Sequence, residues 1–289
     1  MKFRLCSMLA TIFFSTYSFA LEQIIYPNTE GIDRYQDLIE MLDEALKQTT
    51  KRFGPYELKP TKFEMNERRS RDYFLDNSSK PTFNVIFSAP LKEFESTNII
   101  PVEVAPRRGI LGYRMVFTHK DKLKELKKVK TAQDLKKYIM LQGAGWGDVK
   151  IFKHNNIPVV EGAGYEGLFQ MINAKRADIF SRGITEIFTE YEKYRAKNKN
   201  LAIEGSFIIK YDWPYLYMVR KENISLKKRI EFGFEQIEKN GTLDKLFKKY
   251  YEKNIKMADI DNKTIIKLEN PLLSEAGKSI LKNTKIGLK

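Results

Sequence analysis

The spacing of apolar positions predicts a chain in which strands and helices alternate. Short runs rich in β-branched and aromatic residues predict strands at 22–27, 56–63 and 83–87. Between them, apolar residues recur at helical spacing, most clearly at 35–46. The resulting βαβαβ order is typical of a wound α/β lobe.

The same alternation restarts after position 104. It predicts strands at 113–118, 139–142, 178–180 and 201–210, with helices at 148–154, 165–173 and 185–194. Two later helices, starting near Ser225 and Leu243, need a surface to cover, and we expect them to return to the first lobe. The fold class is therefore α/β, with two Rossmann-like lobes joined by a hinge of two chain crossings. The expected division is 1–20 (a signal peptide), 21–110 with 215–289 (lobe one), and 111–214 (lobe two). The segment after 261 is expected to lie loosely against lobe one.

The first twenty positions have the three parts of a secretory signal peptide. Lys2 and Arg4 precede an apolar stretch at 5–14, and the small residues Ser18 and Ala20 favour cleavage after Ala20. We therefore expect export to the periplasm. The single cysteine, Cys6, falls inside this signal, so the mature chain has no thiol for a disulfide, a metal site or a nucleophile.

The formal net charge of +14 at pH 7 raises the question of a nucleic-acid partner. The excess is mostly lysine on helix faces, as at 122–130 and 245–249, and an exported protein meets little nucleic acid. We therefore expect no nucleic-acid partner, and a monomer with a solvated lysine-rich surface. The two histidines, His119 and His154, lack metal-site spacing and are expected at the surface.

Four stretches together resemble the family 3 extracellular solute-binding proteins, in the branch called transporter substrate-binding domain-containing proteins. They are "RRGILGYRMVF" at 107–117, "KTAQDLKKYIMLQGAGWGDVKIFKHNNIPVV" at 130–160, "YEGLFQMINAKRADIFSRGITE" at 165–186 and "GTLDKLFKKYYE" at 241–252. The resemblance implies the type II periplasmic-binding fold, in which two lobes close on a small solute and deliver it to a membrane permease. One motif departs from the family. Many of its amino-acid receptors carry T-x-x-R after the strand at 83–87, but here "SAPLKEFEST" follows, and Lys92 lacks the bidentate fork of an arginine.

The stretch "GAGWGD" lies between a predicted strand and a predicted helix, where ligands bind in α/β lobes. It lacks the third glycine of the dinucleotide fingerprint and the Lys-Ser/Thr of a phosphate loop, so it does not predict a nucleotide site. Trp146 is a candidate for an aromatic pocket wall, with packing at the hinge as the alternative. Asp148 is a candidate ligand contact, with helix capping as the alternative.

The charged candidates lie mainly near the end of the strand at 178–180. Arg182 is placed to clamp a carboxylate or phosphate, and Glu186 to pair with it or to bind an ammonium group; the alternative is a surface ion pair. Arg108, at the first crossing, reaches either the cleft or the hinge. Tyr26, at the end of the first strand, is placed to stack on a ligand, and Arg69 is a further candidate on an early helix.

These features predict a periplasmic receptor that binds a small polar solute, either anionic or zwitterionic. The receptor would act in transport or in sensing, with a permease or a sensor as its membrane partner. No cofactor and no metal are expected. The alternative is an enzyme on the same fold, such as a dehydratase acting on a small carboxylate. It would need an acid–base pair made of Glu186 with Asp148 or Glu166.

Overall fold

The structure is a computed structural model that describes residues 20–29, 32–65, 67–76 and 82–282. The predicted signal peptide, apart from Ala20, lies outside the described residues. Among the described residues, no helix combines the length and the apolarity that a membrane crossing requires.

Eleven strands are assigned in the described part of the chain. They are β1 Glu22–Thr29, β2 Tyr56–Met65, β3 Val85–Ser88, β4 Ile99–Pro101, β5 Tyr113–His119, β6 Met140–Gly143, β7 Val159–Gly162, β8 Ile179–Gly183, β9 Leu201–Lys210, β10 Leu216–Arg220 and β11 Thr264–Lys267.

The helices alternate with these strands. They are α1 Gln36–Lys47, α2 Thr50–Phe53, α3 Glu67–Leu75, α4 Leu123–Leu126, α5 Ala132–Leu135, α6 Gly147–His154, α7 Tyr165–Asn173, α8 Ile187–Tyr194, α9 Ile224–Lys239, α10 Thr242–Ala258 and α11 Glu275–Lys282. The mixed α/β class predicted from the sequence is confirmed.

The first group of strands combines a parallel pair with an antiparallel sheet. β1 pairs with β2, and the three-stranded sheet has the order β3-β10-β4. Asn84 joins the pair to the sheet. Its side-chain oxygen accepts from the backbone amide of Ile25 (2.9 Å), and its backbone amide donates to the Ile25 carbonyl (2.9 Å). α1 packs against α9 and α10 beside these strands, so the two late helices do return to the first lobe.

The second group is a six-stranded sheet with the order β11-β9-β5-β8-β6-β7. Consecutive residues of β5 point to opposite faces. Phe117 lies against Phe169 of α7, with ring centroids 5.5 Å apart, whereas Val116 belongs to the core shared with Phe152 of α6. A capping box starts α5, with Thr131 and Asp134 each accepting from the other's backbone amide. The long helix α9 begins at Ile224, close to the predicted start near Ser225, and Asn223 before it makes no side-chain capping hydrogen bond.

The chain passes between the two groups of strands after β4 and after β9, and it passes between them twice more, before and after β11. The C-terminal segment adds a feature that the sequence did not indicate. β11 pairs in parallel with β9 at the edge of the six-stranded sheet, and the chain then returns to Leu91 through a bridge with Leu273. The expectation that everything after 261 lies against the first lobe is therefore wrong for 264–267. Ile265 and Ile266 point to opposite faces of this strand, and each packs against the hydrophobic core on its own side.

Candidate functional site

The glycine-rich turn connects β6 to α6 and carries an aromatic side chain. Trp146 occupies the position before the first helical residue and caps α6 through its backbone conformation alone. Its indole lies over Gly143, where a Cβ atom would come within 2.6 Å of Trp146 Nε1. Gly145 has a φ of +77°, which glycine adopts without strain. The turn therefore needs glycine at 143 to accommodate the indole and at 145 to reverse the chain.

Arg182, at the end of β8, lies at the centre of a buried cluster. Its Nε donates to Glu190 Oε2 (2.8 Å), and its Nη2 donates to Glu190 Oε1 (2.7 Å) and to the Tyr165 hydroxyl (2.9 Å). The Tyr165 hydroxyl in turn donates to Glu190. The guanidinium carbon lies 5.1 Å from the Trp146 ring centroid and 5.5 Å from that of Tyr165. A bidentate carboxylate and stacked rings thus hold an arginine that is only 5% exposed. We name Arg182, Glu190, Tyr165 and Trp146 the Arg182 cluster.

A second buried arginine lies one strand away, in β5. Arg114 Nε donates to the Tyr211 hydroxyl (2.9 Å), and its Nη2 donates to Asp148 Oδ1 (2.8 Å), while Tyr211 also donates to Asp148. Asp148 therefore stands in the first turn of α6 as an ion-pair partner, and its interpretation as the helix cap is wrong. Arg114 is not among the residues predicted from the sequence, because a charge inside an otherwise apolar strand has no distinct spacing. Its burial, which leaves 5% of the residue exposed, depends on the tertiary structure.

Glu186 connects the two arginines. Its Oε1 lies 3.0 Å from Arg182 Nη2 and its Oε2 lies 3.5 Å from Arg114 Nη1, and Oε2 also accepts from the Gly183 amide (3.1 Å). Burial alone would raise the pKa of Glu186, but the charges of Arg182, Arg114 and Arg34 and the Gly183 amide outweigh it, so the pKa lies below its ordinary value. The side chain keeps 26% of its surface exposed. It is an ionised carboxylate that still reaches solvent.

Arg34 brings the first lobe to this site. It lies in the 3-10 turn Ile32–Tyr35 that precedes α1, and its charge acts on Glu186 of the second lobe. Arg107 holds the backbone at this point, donating from Nη2 to the Arg34 carbonyl (2.7 Å) and from Nε and Nη2 to Asp37 (2.7 and 2.6 Å). Tyr251 donates to the same carboxylate. The lobes also meet directly, because Asn254 donates to the Thr185 carbonyl (2.9 Å).

The other predicted residues lie elsewhere. Arg108 adopts a φ of +48°, pairs with Asp244 and lies 4.9 Å from the Phe247 ring centroid, so α10 holds its side chain. Tyr26 is 8% exposed and packs on Phe87, with ring centroids 5.8 Å apart. Arg69 lies on an exposed part of α3. Of the seven predicted residues, the structure brings together Trp146, Arg182 and Glu186, with Asp148 linked to them through Arg114.

The histidines divide between surface and core. His154 is exposed, as expected, and lies 3.2 Å from Glu269. His119 is only 5% exposed, and its Nδ1 accepts from the Asp121 amide (3.2 Å), so the expectation of a surface position is wrong for it. Within the described ranges, no group of three His, Cys, Asp or Glu side chains is arranged to hold a metal ion.

Solved structures of binding proteins resemble this chain closely in fold. The probable amino-acid ABC transporter extracellular-binding protein ytmK of Bacillus subtilis matches with a TM-score of 0.54 and 16% identity, over 80% of this chain and 99% of its own. The chain has the bilobal solute-binding-protein fold. The resemblance predicted from the sequence is thus confirmed at the level of the fold.

Two further neighbours support the same assignment of the fold. A structure from the glutathione import system of Streptococcus mutans, formed by GshT and the cystine ABC importer TcyBC, matches with a TM-score of 0.55 and 15% identity, over 80% of this chain and 95% of its own. An ancestral arginine-binding protein bound to arginine matches with a TM-score of 0.50 and 18% identity, over 79% of this chain and 97% of its own. No family model and no curated protein matches the chain.

Proposed function

We propose that the chain is a periplasmic receptor that encloses a small zwitterionic solute between its two lobes, and that Glu186 binds the ammonium group of that solute. The observation that carries the proposal is the state of Glu186, which is held ionised by two buried arginines and still keeps part of its surface open at the junction of the lobes. The neighbours support a solute-binding role, since each of the three is named as a binding or import protein.

The charges around Glu186 favour a cationic group. Arg182 and Arg114 each have a carboxylate of their own, Glu190 and Asp148. Together with Glu186, the second lobe here carries three carboxylates against two guanidinium groups, and the charge of Arg34 from the first lobe also acts on Glu186. The fork of Arg182, which was expected to clamp an anion, is filled by Glu190 in this conformation. A protonated amine would pair with the exposed part of Glu186, and closure of the lobes would strengthen that ion pair by excluding water.

The remaining contacts of the ligand are proposed from the same geometry. Trp146 and Tyr165 form an aromatic wall beside Glu186, with ring centroids 6.1 Å apart. Arg34 of the first lobe adds a positive charge that acts on Glu186. Lobe one is proposed as 21–110 with 215–289 and lobe two as 111–214, except that β11 joins the sheet of lobe two.

The alternative of an enzyme receives no comparable support. Asp148 is occupied by Arg114 and Tyr211, and Glu166 pairs with Lys197 (2.9 Å) on the exposed side of α7. Asp148 shares Arg114 with Glu186 and is held there as an ion-pair partner, and Glu166 is held in its surface pair, so neither is proposed as an acid–base partner of Glu186. We therefore propose a binding role, in which the receptor serves a membrane permease or a sensor.

A thermal-shift screen tests this proposal. Each amino acid in the screen is paired with its N-acetyl derivative, which keeps the carboxylate but lacks the positive charge. Ligands stabilise the folded state by RT ln(1 + [L]/Kd), so at least one free amine should raise the melting temperature while its acetylated partner does not. Stabilisation by the acetylated form alone, or recovery of a chemically changed ligand, would refute the proposal.

A further inference from the structure

The segment that follows α10 touches both lobes in turn. Residues 264–267 form β11 at the edge of the second sheet. The amide of Leu268 then donates to the Lys210 carbonyl (2.8 Å), and the side chain of Asn270 donates to the Asp212 carbonyl (2.8 Å). Glu269 is held through its backbone, since its carbonyl accepts from Asn155 Nδ2 (2.8 Å) and its amide donates to Asn155 Oδ1 (3.1 Å). This half of the segment is thus fastened to the second lobe.

The next residues are fastened to the first lobe. The Leu272 carbonyl accepts from the Lys92 amide (2.8 Å), and the Ser274 amide donates to the Pro90 carbonyl (2.9 Å). Leu273 forms the bridge with Leu91 and is 1% exposed. α11 follows at once and packs closely there, because a Cβ atom at Gly277 would lie 2.5 Å from Pro90 Cγ.

Only three residue steps separate the last backbone group bonded to the second lobe, at Glu269, from the first one bonded to the first lobe, at Leu272. A fully extended chain covers at most about 3.6 Å per residue, so the distance from Glu269 to Leu272 cannot exceed about 11 Å while both ends stay bonded. Tyr211-Asp212-Trp213-Pro214 runs beside this segment as the second crossing, and Asn270 ties the two together. Opening of the lobes must therefore stretch a short, fastened chain.

We propose that residues 264–274, the C-terminal strap, limit how far the two lobes open. The strap also reaches the site, because Leu272 Cδ1 and Trp213 Cη2 lie 3.5 and 2.6 Å from the position of a Cβ atom at Gly147, next to Trp146. Leu272 of the strap thus lies next to the first residue of α6. This inference goes beyond the proposed function and depends on it only for the opening and closing of the lobes.

A distance measurement between the lobes, made without any ligand, tests the strap. Spin labels are placed at Lys51→Cys in α2 and Lys128→Cys after α4, two exposed positions in a mature chain whose predicted signal carries the only natural cysteine. A protease site inserted between Glu269 and Asn270 allows the segment to be cut, and the labelled chain without the insertion, treated with the same protease, is the reference, because the inserted residues by themselves already lengthen the segment. Cleavage should move the distance distribution to longer values and broaden it. An unchanged distribution in a fully cleaved, folded sample would overturn the proposal.

A point variant with a matched control covers the case in which the insertion disturbs folding. Gly277→Ala forces α11 away from Pro90 and should also lengthen the distance between the labels. Gly167→Ala is the control, because it changes a glycine of α7 that has no atom within 4 Å of the added Cβ. Equal distributions for these two variants would contradict the strap. Because no ligand is used, this result is independent of whether Glu186 binds an ammonium group.

Discussion

The indole of Trp146 rests directly on Gly143, three residues earlier in the chain. Any side chain at 143 would occupy the place of the ring, since a Cβ atom would lie within 2.6 Å of Nε1 and 2.7 Å of Cδ2. The guanidinium of Arg182 also lies against the ring, with its carbon 5.1 Å from the ring centroid. The glycine thus determines where the aromatic wall of the proposed site stands.

We therefore expect Gly143→Ala to displace Trp146 and to destabilise the fold. Overpacking of this kind typically costs about 1–3 kcal/mol. The loss is measured from urea unfolding, and the displaced ring from tryptophan fluorescence, with Trp213 as the only other contributor. Gly167→Ala, where the added methyl meets open space, should show neither change. Wild-type stability and emission in Gly143→Ala would contradict the close contact between position 143 and the indole.

The pairing of Arg182 with Glu190 predicts that a small chemical change at Glu190 greatly lowers the free energy of unfolding. Glu190→Gln keeps the shape of the side chain but leaves the buried guanidinium with Glu186 as its remaining charged partner. Breaking a buried ion pair costs about 3–5 kcal/mol, and the presence of Glu186 should reduce the loss to roughly 2–3 kcal/mol. Denaturant unfolding measures it. Glu166→Gln, at the exposed pair with Lys197, should leave the unfolding midpoint unchanged; equal effects of the two substitutions would contradict a buried pair.

Burial of His119 predicts a loss of stability in mildly acidic solution. Burial lowers the pKa of His119 below its ordinary value of 6.5, and the Asp121 carboxylate offsets this only in part. As the pH falls, the unfolded chain therefore binds more protons than the folded chain does. The stabilising contribution is complete above about pH 6.5 and is lost as the pH falls below it.

The free energy of unfolding, measured between about pH 7.5 and pH 5.5, checks this sign. His119→Gln should remove part of the pH dependence, whereas His154→Gln at the exposed histidine should retain it. If wild type and His119→Gln lose the same free energy of unfolding on acidification, groups other than His119 cause the loss.

The alternation of apolar residues was enough to predict most of the fold. Strand β5 and helix α7 begin where the sequence places them. β5 is a short run of mostly apolar residues, and the apolar residues of α7 recur at helical spacing. β11 was missed because four residues in a polar tail carry too little pattern. They become a strand only when the edge of β9 provides backbone partners and a surface for Ile266.

The site was predicted in part. Arg182 and Glu186 follow a buried strand, and this position is visible in the sequence. Glu190 and Arg114 were missed because their roles depend on which strands and helices are neighbours in space. Arg107 and Arg108 show the limit most clearly. The backbone of Arg108 is left-handed, and its side chain lies against α10. Arg107 therefore forms the buried ion pair with Asp37. The two adjacent arginines cannot be distinguished from the sequence.

The most direct test of the account compares wild type with Glu186→Gln by isothermal titration, using the amino acid that gives the largest thermal shift and its N-acetyl derivative. A hydrogen bond to a charged group is worth about 1.5–3 kcal/mol, so Glu186→Gln should weaken binding of the free amino acid roughly tenfold to a hundredfold. The acetylated compound should bind weakly, and equally, to both proteins. Equal affinity of both proteins for the free amino acid would contradict the assignment of Glu186 as the ammonium-binding residue.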